Sequence, residues 1–337
     1  MSDQQYNLQF EKWCHMLQLN EIVGVPEPVS GGLLHRMYAV QTTQGKYAIK
    51  ALNPQIMLRP AAMQNFIKSE RIAAIAARHI PALPAKQMNG VTIQEADNQF
   101  YLVFDWVEGK SLKPDEIDSI HCEKIGAILA DLHRTDFSEL GLSNDRSDYG
   151  EPTDWNYYLQ KGKENKAVWV NLLLEIIDHL YDWNAQANKS SKQLASDRVI
   201  SHGDLDPKNV MWNQYNPILI DWESAGYINP MQDLTETAIY WSENEIGNMD
   251  KERFMAFIGG YKKRSGALQA NWRMVLASGF RGKLDWLEYS LKRSLWIECT
   301  DEEEQQMGTA QVKATINAIR RYADMISELE IWLDNET

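Results

Sequence analysis

Three polar residues near the middle of the chain have side chains and a spacing that suit phosphate chemistry. Asp204 and Asn209 lie five residues apart in the segment Ile200–Val210, and Asp221 directly follows the apolar run Ile218–Ile220. The two apolar stretches predict strands that each present an acidic residue at or just beyond the strand end. A carboxylate and a side-chain amide are hard oxygen ligands suited to Mg²⁺, and a separate carboxylate is needed to orient a hydroxyl and receive its proton. The spacing therefore predicts a site that holds Mg²⁺ on a nucleoside triphosphate beside a hydroxyl acceptor.

The composition narrows the class of protein and of partner. The chain has 337 residues, of which 44% are hydrophobic and 24% charged, as is ordinary for a globular protein of two domains or one large domain. Lys and Arg number 34 against 47 Asp and Glu, which gives a formal net charge of −13. Because such a surface repels phosphate backbones and anionic lipids, neither a nucleic acid nor a membrane is expected as a partner.

The lack of a recognisable targeting signal and the cysteine usage together predict a cytoplasmic location. The first residues have neither the basic nor the apolar region of a signal peptide, and no apolar run approaches the roughly 18 residues of a spanning helix. The three cysteines, Cys14, Cys122 and Cys299, are odd in number and lack CxxC spacing. The sequence therefore predicts reduced thiols and no zinc site.

The predicted secondary structure that must position the polar residues differs between the first hundred residues and the rest of the chain. Residues 6–19 have the periodicity of an amphipathic helix, and residues 36–52 alternate as two strands do, with a turn signal at 43–45. Three further elements are expected in this region, namely a helix over 60–78 and strands over 91–95 and 100–107. The first hundred residues are thus predicted to form a mostly antiparallel sheet with one long helix.

After Gly109 the pattern becomes mainly helical. The segment 122–132 places its apolar residues on one helical face. Further helices are predicted over 166–187, 231–246, 252–264, 270–298 and 308–333. The expected fold class is α+β with two lobes, a small antiparallel-sheet lobe with one long helix and a larger, mainly helical lobe. The predicted domain boundaries are 1–104 for the N-terminal lobe, 105–109 for a hinge and 110–337 for the C-terminal lobe.

The segment around Asp204 resembles the catalytic loop of the aminoglycoside phosphotransferase and choline kinase family, whose fold is similar to that of protein kinases. The family pattern His-Gly-Asp-x4-Asn, followed by a hydrophobic strand and Ile-Asp-Trp, is present at 202–209 and 220–222. Four more segments are similar to the family's nucleotide-covering hairpin, phosphate-binding lysine strand, hinge and large-lobe helix, in the order Val29–Val40, Tyr47–Lys50, Leu102–Gly109 and Gly126–His133. The resemblance implies a protein-kinase-like fold with the nucleotide in the N-terminal lobe.

The resemblance also implies a role for each matching residue. Asp204 would be the catalytic carboxylate, and Asn209 and Asp221 would hold Mg²⁺. Lys50 would contact the α- and β-phosphates of ATP or GTP, and Glu70 would pair with Lys50. Such a site fits phosphoryl transfer, which depends mostly on positioning and charge neutralisation. An ordinary surface lysine and a solvated helix face are the open alternatives for Lys50 and Glu70.

Further nucleotide contacts follow from the same resemblance. Gly31 and Gly32 would approach the phosphates through their backbone amides, although a Gly-Gly pair is also an ordinary hairpin feature. Phe104 and Trp106 lie in the strand and hinge that would hold the base. His202 is expected to brace the catalytic loop through hydrogen bonds instead of transferring protons.

The same loop also resembles that of protein kinases, but three differences favour a small-molecule acceptor. Gly203 stands where protein kinases have an arginine, Asp221-Trp222-Glu223 replaces Asp-Phe-Gly, and no Ala-Pro-Glu follows. Protein kinase activity is therefore a minor alternative. A non-catalytic nucleotide-binding scaffold is another, and the joint presence of all the residues that the family needs argues against it.

Acidic side chains indicate the charge of the acceptor. From Asn209 to Asp250 inclusive the chain has seven Asp or Glu residues and no Lys or Arg. In the resembling family the helices after the metal motif line the acceptor site, so the residues expected to border it are Glu223, Tyr240, Trp241, Glu243 and Glu245. The pattern favours a small cationic molecule with a free hydroxyl. An acidic solvated face is the alternative interpretation, and Glu223 could equally support the metal through water or lie on the surface.

The resulting functional hypothesis is an aminoglycoside-type kinase that uses Mg²⁺ and ATP or GTP. A choline, ethanolamine or other small-metabolite kinase is the runner-up, since Trp155, Trp241, Trp286 and Trp296 could form a cation–π box for a quaternary ammonium. The sequence leaves four questions open: which nucleotide is the donor, which hydroxyl is modified, what the oligomeric state is, and whether the role is in antibiotic resistance or in metabolism.

Overall fold

The computed structural model of the protein describes residues 6–29, 34–142, 152–299 and 301–335. The chain divides into two compact units. The first unit comprises Met1–His121, Ile128–Leu142 and Ile200–Tyr227, and the second comprises Cys122–Ala127, Ser143–Val199 and Ile228–Thr337. The segment that contains Asp204, Asn209 and Asp221 therefore belongs to the same unit as the N-terminal sheet. The lobe boundaries at 104 and 110 stay a prediction.

The first unit is built on a five-stranded antiparallel sheet. Its strands are β1 (Glu27–Val29), β2 (Arg36–Gln41), β3 (Lys46–Ala51), β4 (Gln94–Ala96) and β5 (Gln99–Asp105), in the spatial order β1-β2-β3-β5-β4. Its helices are α1 (Phe10–Met16), α2 (Pro54–Met57) and α3 (Ala62–Ala76). In the register of β3 and β5, Lys50 lies opposite Leu102 and Ala48 lies opposite Phe104.

Strand alternation decides which face of this sheet carries the lysine. Ile49 and Ala51 pack with Trp13 of α1 in one core cluster. Ala48, the neighbour of Ile49, packs instead in a second cluster with Phe66 of α3. Because side chains alternate between the two faces of a strand, Lys50 is on the α3 face together with Ala48.

Four short strands follow later in the chain, namely β6 (Val199–Ser201), β7 (Val210–Asn213), β8 (Asn216–Leu219) and β9 (Gly226–Ile228). β7 and β8 form an antiparallel hairpin in which Val210 is paired with Leu219. Backbone hydrogen bonds hold this hairpin in the first unit: the Leu83 N–H donates to the Leu219 carbonyl at 2.9 Å, and the Trp212 N–H donates to the Lys110 carbonyl at 2.9 Å. The hairpin is thereby fixed on both strands.

The second unit is helical. Its helices are α5 (Trp155–Glu164), α6 (Val170–Leu194), α7 (Pro230–Ser242), α8 (Lys251–Ser265), α9 (Trp272–Ser278), α10 (Phe280–Ser294) and α11 (Glu302–Asp334), and α4 (Ser119–His133) contributes residues to both units. Asn229 and Asp250 cap α7 and α8 through side-chain oxygens that accept N-terminal N–H groups. The α+β fold class predicted from the sequence is confirmed, with the sheet in the N-terminal part and helices in the C-terminal part.

The predicted helix over 270–298 is divided in two at Gly279. The hydroxyl of Tyr322 donates to the carbonyl of Leu276 at 2.5 Å, and the Gly279 N–H donates to the same carbonyl at 3.1 Å. A side chain that takes a carbonyl out of the helical ladder interrupts the helix. Among the described helices, none is both long enough and apolar enough to cross a bilayer.

Candidate active site

His202 holds the start of the catalytic loop. Its side chain is 0% exposed; Nε2 lies 2.9 Å from the Ile220 carbonyl oxygen, and Nδ1 accepts the Asp204 N–H at 3.3 Å. In the tautomer that satisfies both contacts, the ring proton is on Nε2 and is donated to Ile220. Both ring nitrogens are thus bound by the backbone, in agreement with the bracing role expected for His202.

Gly203 is required by the backbone of this loop. Its φ is +76°, and a Cβ built on it would lie 2.4 Å from the Ser224 carbonyl oxygen. A side chain is excluded both by the left-handed conformation and by the close approach of the 222–224 turn. The arginine found here in protein kinases therefore has no place in this loop.

Asn209 binds directly to the predicted catalytic carboxylate. The Asn209 Nδ2 group donates to Asp204 Oδ2 at 2.9 Å and to the Asp204 carbonyl oxygen at 2.8 Å. Within the described chain, Asp204 Oδ1 has no protein hydrogen-bond donor. One carboxylate oxygen is therefore held by the protein, and the other is left to accept a hydrogen bond from a hydroxyl.

Asp221 lies at the same end of the β7–β8 hairpin as Asn209. The Ile220 N–H donates to the Asn209 carbonyl at 2.9 Å, which joins the two strands of the hairpin just before Asp221. Asp221 itself is left-handed, with φ 62° and ψ 64°. A non-glycine residue in that conformation costs roughly 1 kcal/mol or more, and such strain is concentrated at functional sites.

Lys50 is buried and forms two ion pairs. Its Nζ lies 2.8 Å from Asp221 Oδ1 and 2.6 Å from Glu223 Oε2, and the residue is 7% exposed. Burial disfavours the ammonium, but the Asp221 and Glu223 carboxylates outweigh burial and raise the pKa of Lys50 above its ordinary value. Lys50 is therefore a fixed positive charge beside the predicted metal ligand.

Glu223 was expected at the acceptor site, and the structure places it against Lys50. Its Oε2 also lies 3.4 Å from His35 Nε2, whose Nδ1 accepts the Asn53 N–H at 2.9 Å. Burial acts to raise the pKa of Glu223, but His35 and Lys50 lower it to about 2. The residue is thus an ionised partner of the lysine. His35 was not singled out from the sequence, because nothing local to it indicates a contact with residue 223.

The predicted Lys50–Glu70 pair is wrong for this structure. Glu70 Oε2 accepts the Ala85 N–H at 2.7 Å, while both ion-pair partners of Lys50 within the described residues are Asp221 and Glu223. The Glu70 carboxylate is used to accept the backbone N–H of Ala85, and Lys50 is already neutralised by two nearer carboxylates. Burial raises the pKa of Glu70 to about 7, against an ordinary value of 4.5.

This pKa predicts how Glu70→Gln changes the pH dependence of stability. A folded pKa above the unfolded value means that the folded state binds the proton more tightly, so the stabilisation is complete below pH 4.5 and is lost as pH rises to about 7. We expect the free energy of unfolding of the wild type to fall by about 3 kcal/mol more than that of Glu70→Gln across this range. Urea unfolding at a series of pH values measures the difference. The exposed Glu95→Gln should behave as the wild type does, and parallel curves for wild type and Glu70→Gln would contradict the prediction.

The predicted base-binding residues lie on β5 and just beyond it. Phe104 is buried beside Ala48 in the α3-face cluster. Trp106 is half-buried, with the Lys46 ammonium 3.7 Å from its ring centroid and its Nε1–H donating to Glu108 at 2.9 Å. Gly31 and Gly32 lie outside the described residues, so their predicted phosphate contact stays a prediction.

The residues predicted to border the acceptor differ in exposure. Tyr240 is 36% exposed, whereas Trp241 is 0% exposed and packs in the core of the second unit. Glu243 is half-buried and Glu245 is exposed. Trp241 therefore cannot border a ligand as predicted, because the apolar face of α7 turns it inward. Trp155 is also 0% exposed, so two of the four tryptophans proposed for a cation–π box have no free face.

The side chains fit a magnesium ion bound together with phosphates. No cluster of three or more His, Cys, Asp and Glu with metal-binding geometry occurs among the residues described. Mg²⁺ in nucleotide sites uses one or two protein oxygens, with waters and phosphates as its other ligands. In the described chain, the hydrogen bonds of Asn209 engage its Nδ2 and leave Oδ1, and the ion pair of Asp221 engages Oδ1 and leaves Oδ2. These two free oxygens match the predicted ligand pair.

Comparison with known proteins gives a family match and several similar folds. Residues 26–267 match the phosphotransferase enzyme family. The fold is similar to that of a spectinomycin phosphotransferase solved with ADP and spectinomycin, with a TM-score of 0.70 and 12% identity over 94% of this chain and 99% of that chain. It is also similar to Plasmodium vivax ethanolamine kinase (TM-score 0.57, 18% identity, 87% of this chain and 82% of that chain). Cryptosporidium parvum choline kinase is similar as well (TM-score 0.57, 11% identity, 92% of each chain).

Proposed function

Since the chain belongs to the phosphotransferase enzyme family, we propose that it transfers the γ-phosphoryl group of ATP or GTP to a hydroxyl of a small cationic molecule, with Mg²⁺ as cofactor. The observation that carries the proposal is the hydrogen bond of 2.9 Å that joins Asn209 to Asp204. It brings the residue suited to bind the hydroxyl into contact with one suited to bind the metal. Asp221 and Lys50 complete the site within the same compact unit.

Each residue has a defined task in the transfer. Asp204 Oδ1 accepts a hydrogen bond from the acceptor hydroxyl, orients its oxygen toward the γ-phosphorus and receives the proton as the new bond forms. The bond from the γ-phosphorus to the bridging oxygen breaks, and its electron pair leaves with the nucleoside diphosphate. Lys50 neutralises charge on the nucleotide phosphates. Mg²⁺ held by Asn209 and Asp221 would supply further charge neutralisation on those phosphates.

The acidic segment after Asn209 supports a cationic acceptor. From Asn209 to Asp250 inclusive the chain has seven Asp or Glu residues and no Lys or Arg, a charge that favours an amine. The spectinomycin phosphotransferase was solved with spectinomycin, and an antibiotic-type acceptor is the first choice here. An amino alcohol such as ethanolamine or choline is the second, which the similarity in fold to ethanolamine and choline kinases supports. For choline, the burial of Trp155 and Trp241 removes half of the aromatic box.

The acceptor class predicts a result in a turnover assay. With Mg-ATP or Mg-GTP, we expect nucleoside diphosphate release to rise at least about tenfold over the background when a hydroxylated amine of the correct class is added. The panel contains aminocyclitols, aminoglycosides and amino alcohols, and anionic hydroxy compounds of similar size serve as the control. The phosphorylated product is identified by mass spectrometry. A preference for the anionic compounds would contradict the cationic acceptor, and turnover without phosphorylated product from any compound would contradict the transferase.

A further inference from the structure

Lys208 lies beside the predicted catalytic carboxylate and has no part in the site as described so far. Its Nζ is 3.6 Å from Asp204 Oδ2 and 3.9 Å from Asp206 Oδ2. We propose that Lys208 neutralises the negative charge of the phosphoryl group as it moves to the hydroxyl that Asp204 binds. This role rests on the proposed function and adds a second lysine to the reaction, on the acceptor side of the γ-phosphate.

The backbone of Lys208 is fixed on both sides. Its N–H donates to Asp206 Oδ1 at 2.9 Å, and its carbonyl accepts the Ser111 hydroxyl at 2.9 Å. Pro207, the residue before it, has a restricted φ and begins a short 3₁₀ turn that ends at Asn209. The backbone that carries this side chain is therefore held close to Asp204 before any ligand binds, which limits the reorganisation needed for electrostatic stabilisation of a transition state.

The contacts of the ammonium differ from those of an ordinary surface ion pair. Lys12 and Asp97, an exposed pair, lie 2.6 Å apart, whereas Lys208 is beyond hydrogen-bond distance from both of its carboxylates. Its side chain is 52% exposed, so its N–H donors are accessible to an incoming phosphate oxygen. Asp204 Oδ2 also accepts a hydrogen bond from Asn209.

A positive charge at position 208 would offset an electrostatic repulsion in the reaction. Asp204 must be ionised to accept the hydroxyl proton, yet its negative charge repels the anionic phosphoryl group that approaches the same hydroxyl. Lys208, close to the oxygen that faces away from the acceptor, offsets this repulsion. It transfers no proton, because the hydroxyl proton passes to Asp204 and the leaving electron pair stays on the diphosphate.

The test compares Lys208→Met and Lys208→Arg with Lys12→Met, a matched control in the same unit whose lysine side chain is 59% exposed. We expect Lys208→Met to lower kcat for phosphoryl transfer about 100-fold, as loss of a transition-state donor does, while KM for the nucleotide changes less than about threefold. Lys208→Arg should recover most of kcat, because the charge is kept. Lys12→Met should match the wild type. Hydrolysis of Mg-ATP, in which water is the acceptor, is measured in parallel.

Each result decides for or against the role of Lys208. Equal kcat for Lys208→Met and Lys12→Met, or no recovery in Lys208→Arg, would overturn it while transfer by the wild type leaves the proposed function intact. A kcat loss accompanied by an equal loss of unfolding free energy would indicate a structural residue and would also overturn it. If the wild type transfers phosphate to no compound of the panel, whether or not it hydrolyses Mg-ATP, the proposed function fails, and the role of Lys208 fails with it.

Discussion

Asp204→Asn is expected to lower the rate of phosphoryl transfer by about 10²–10⁴-fold while nucleotide affinity stays near that of the wild type. The asparagine oxygen can still accept the hydrogen bond of 2.9 Å from Asn209 Nδ2. Its amide nitrogen then replaces Asp204 Oδ1, the atom left for the acceptor. That nitrogen donates hydrogen bonds and cannot receive a proton, so the hydroxyl is neither oriented nor deprotonated.

Single-turnover transfer and nucleotide binding by calorimetry measure the two halves of this prediction. Asp97→Asn is the control, because it makes the same chemical change at an exposed carboxylate in the same unit. The control should keep full activity. Transfer by Asp204→Asn at more than about a tenth of the wild-type rate would show that Asp204 is not the group that receives the proton.

Gly203→Ala is expected to lower the free energy of unfolding by about 2–4 kcal/mol. It should also reduce the rate of phosphoryl transfer, because a shift of the loop displaces the Asp204 carboxylate. The left-handed conformation alone costs an alanine about 1 kcal/mol. The remainder comes from the Ser224 carbonyl oxygen, which lies 2.4 Å from the position of the added Cβ, so that one of the two backbone segments must move.

Gly24→Ala separates these two contributions. Gly24 has a φ of +84° and nothing within 4 Å of an added Cβ, so its replacement carries the conformational cost without the contact. We expect it to lose only about 1 kcal/mol and to retain transfer. Denaturant unfolding of both variants gives the comparison, and equal losses would mean that the contact between residues 203 and 224 relaxes freely.

The elements of the fold could be predicted where periodicity and chain breakers act locally. The strands around Ala48 and Leu102 and the helices α7 and α8 agree with the predicted ones to within a few residues, whereas α11 begins at Glu302 instead of 308. α5 was not predicted, and the division of a long helix at Gly279 depends on Tyr322, which is more than 40 residues away in the sequence. A contact between residues so far apart in the sequence cannot be predicted from the local hydrophobic pattern.

In the candidate site, too, local spacing could be interpreted from the sequence, whereas contacts between distant residues could not. The proximity of Asp204, Asn209 and Asp221 could be predicted because they lie within one short loop and one hairpin, where spacing determines geometry. The partner of Lys50 was predicted wrongly because Glu70, Asp221 and Glu223 are all carboxylates, and only the folded chain determines which of them is nearest. Trp241 was misplaced for a related reason, since an aromatic residue on a helix has the same spacing whether it faces the core or a ligand.

The β7–β8 hairpin has its turn at Gln214 and Tyr215, at the end opposite to Asn209 and Asp221. Residues inserted at this turn would extend the ribbon outward, because strand pairing between Val210 and Leu219 fixes the open end. An insertion at this turn in a relative would therefore lengthen the interval between the asparagine and the aspartate without changing the pair of oxygen donors. A motif search that demands a constant interval would overlook such relatives, and one that allows a variable turn would retain them.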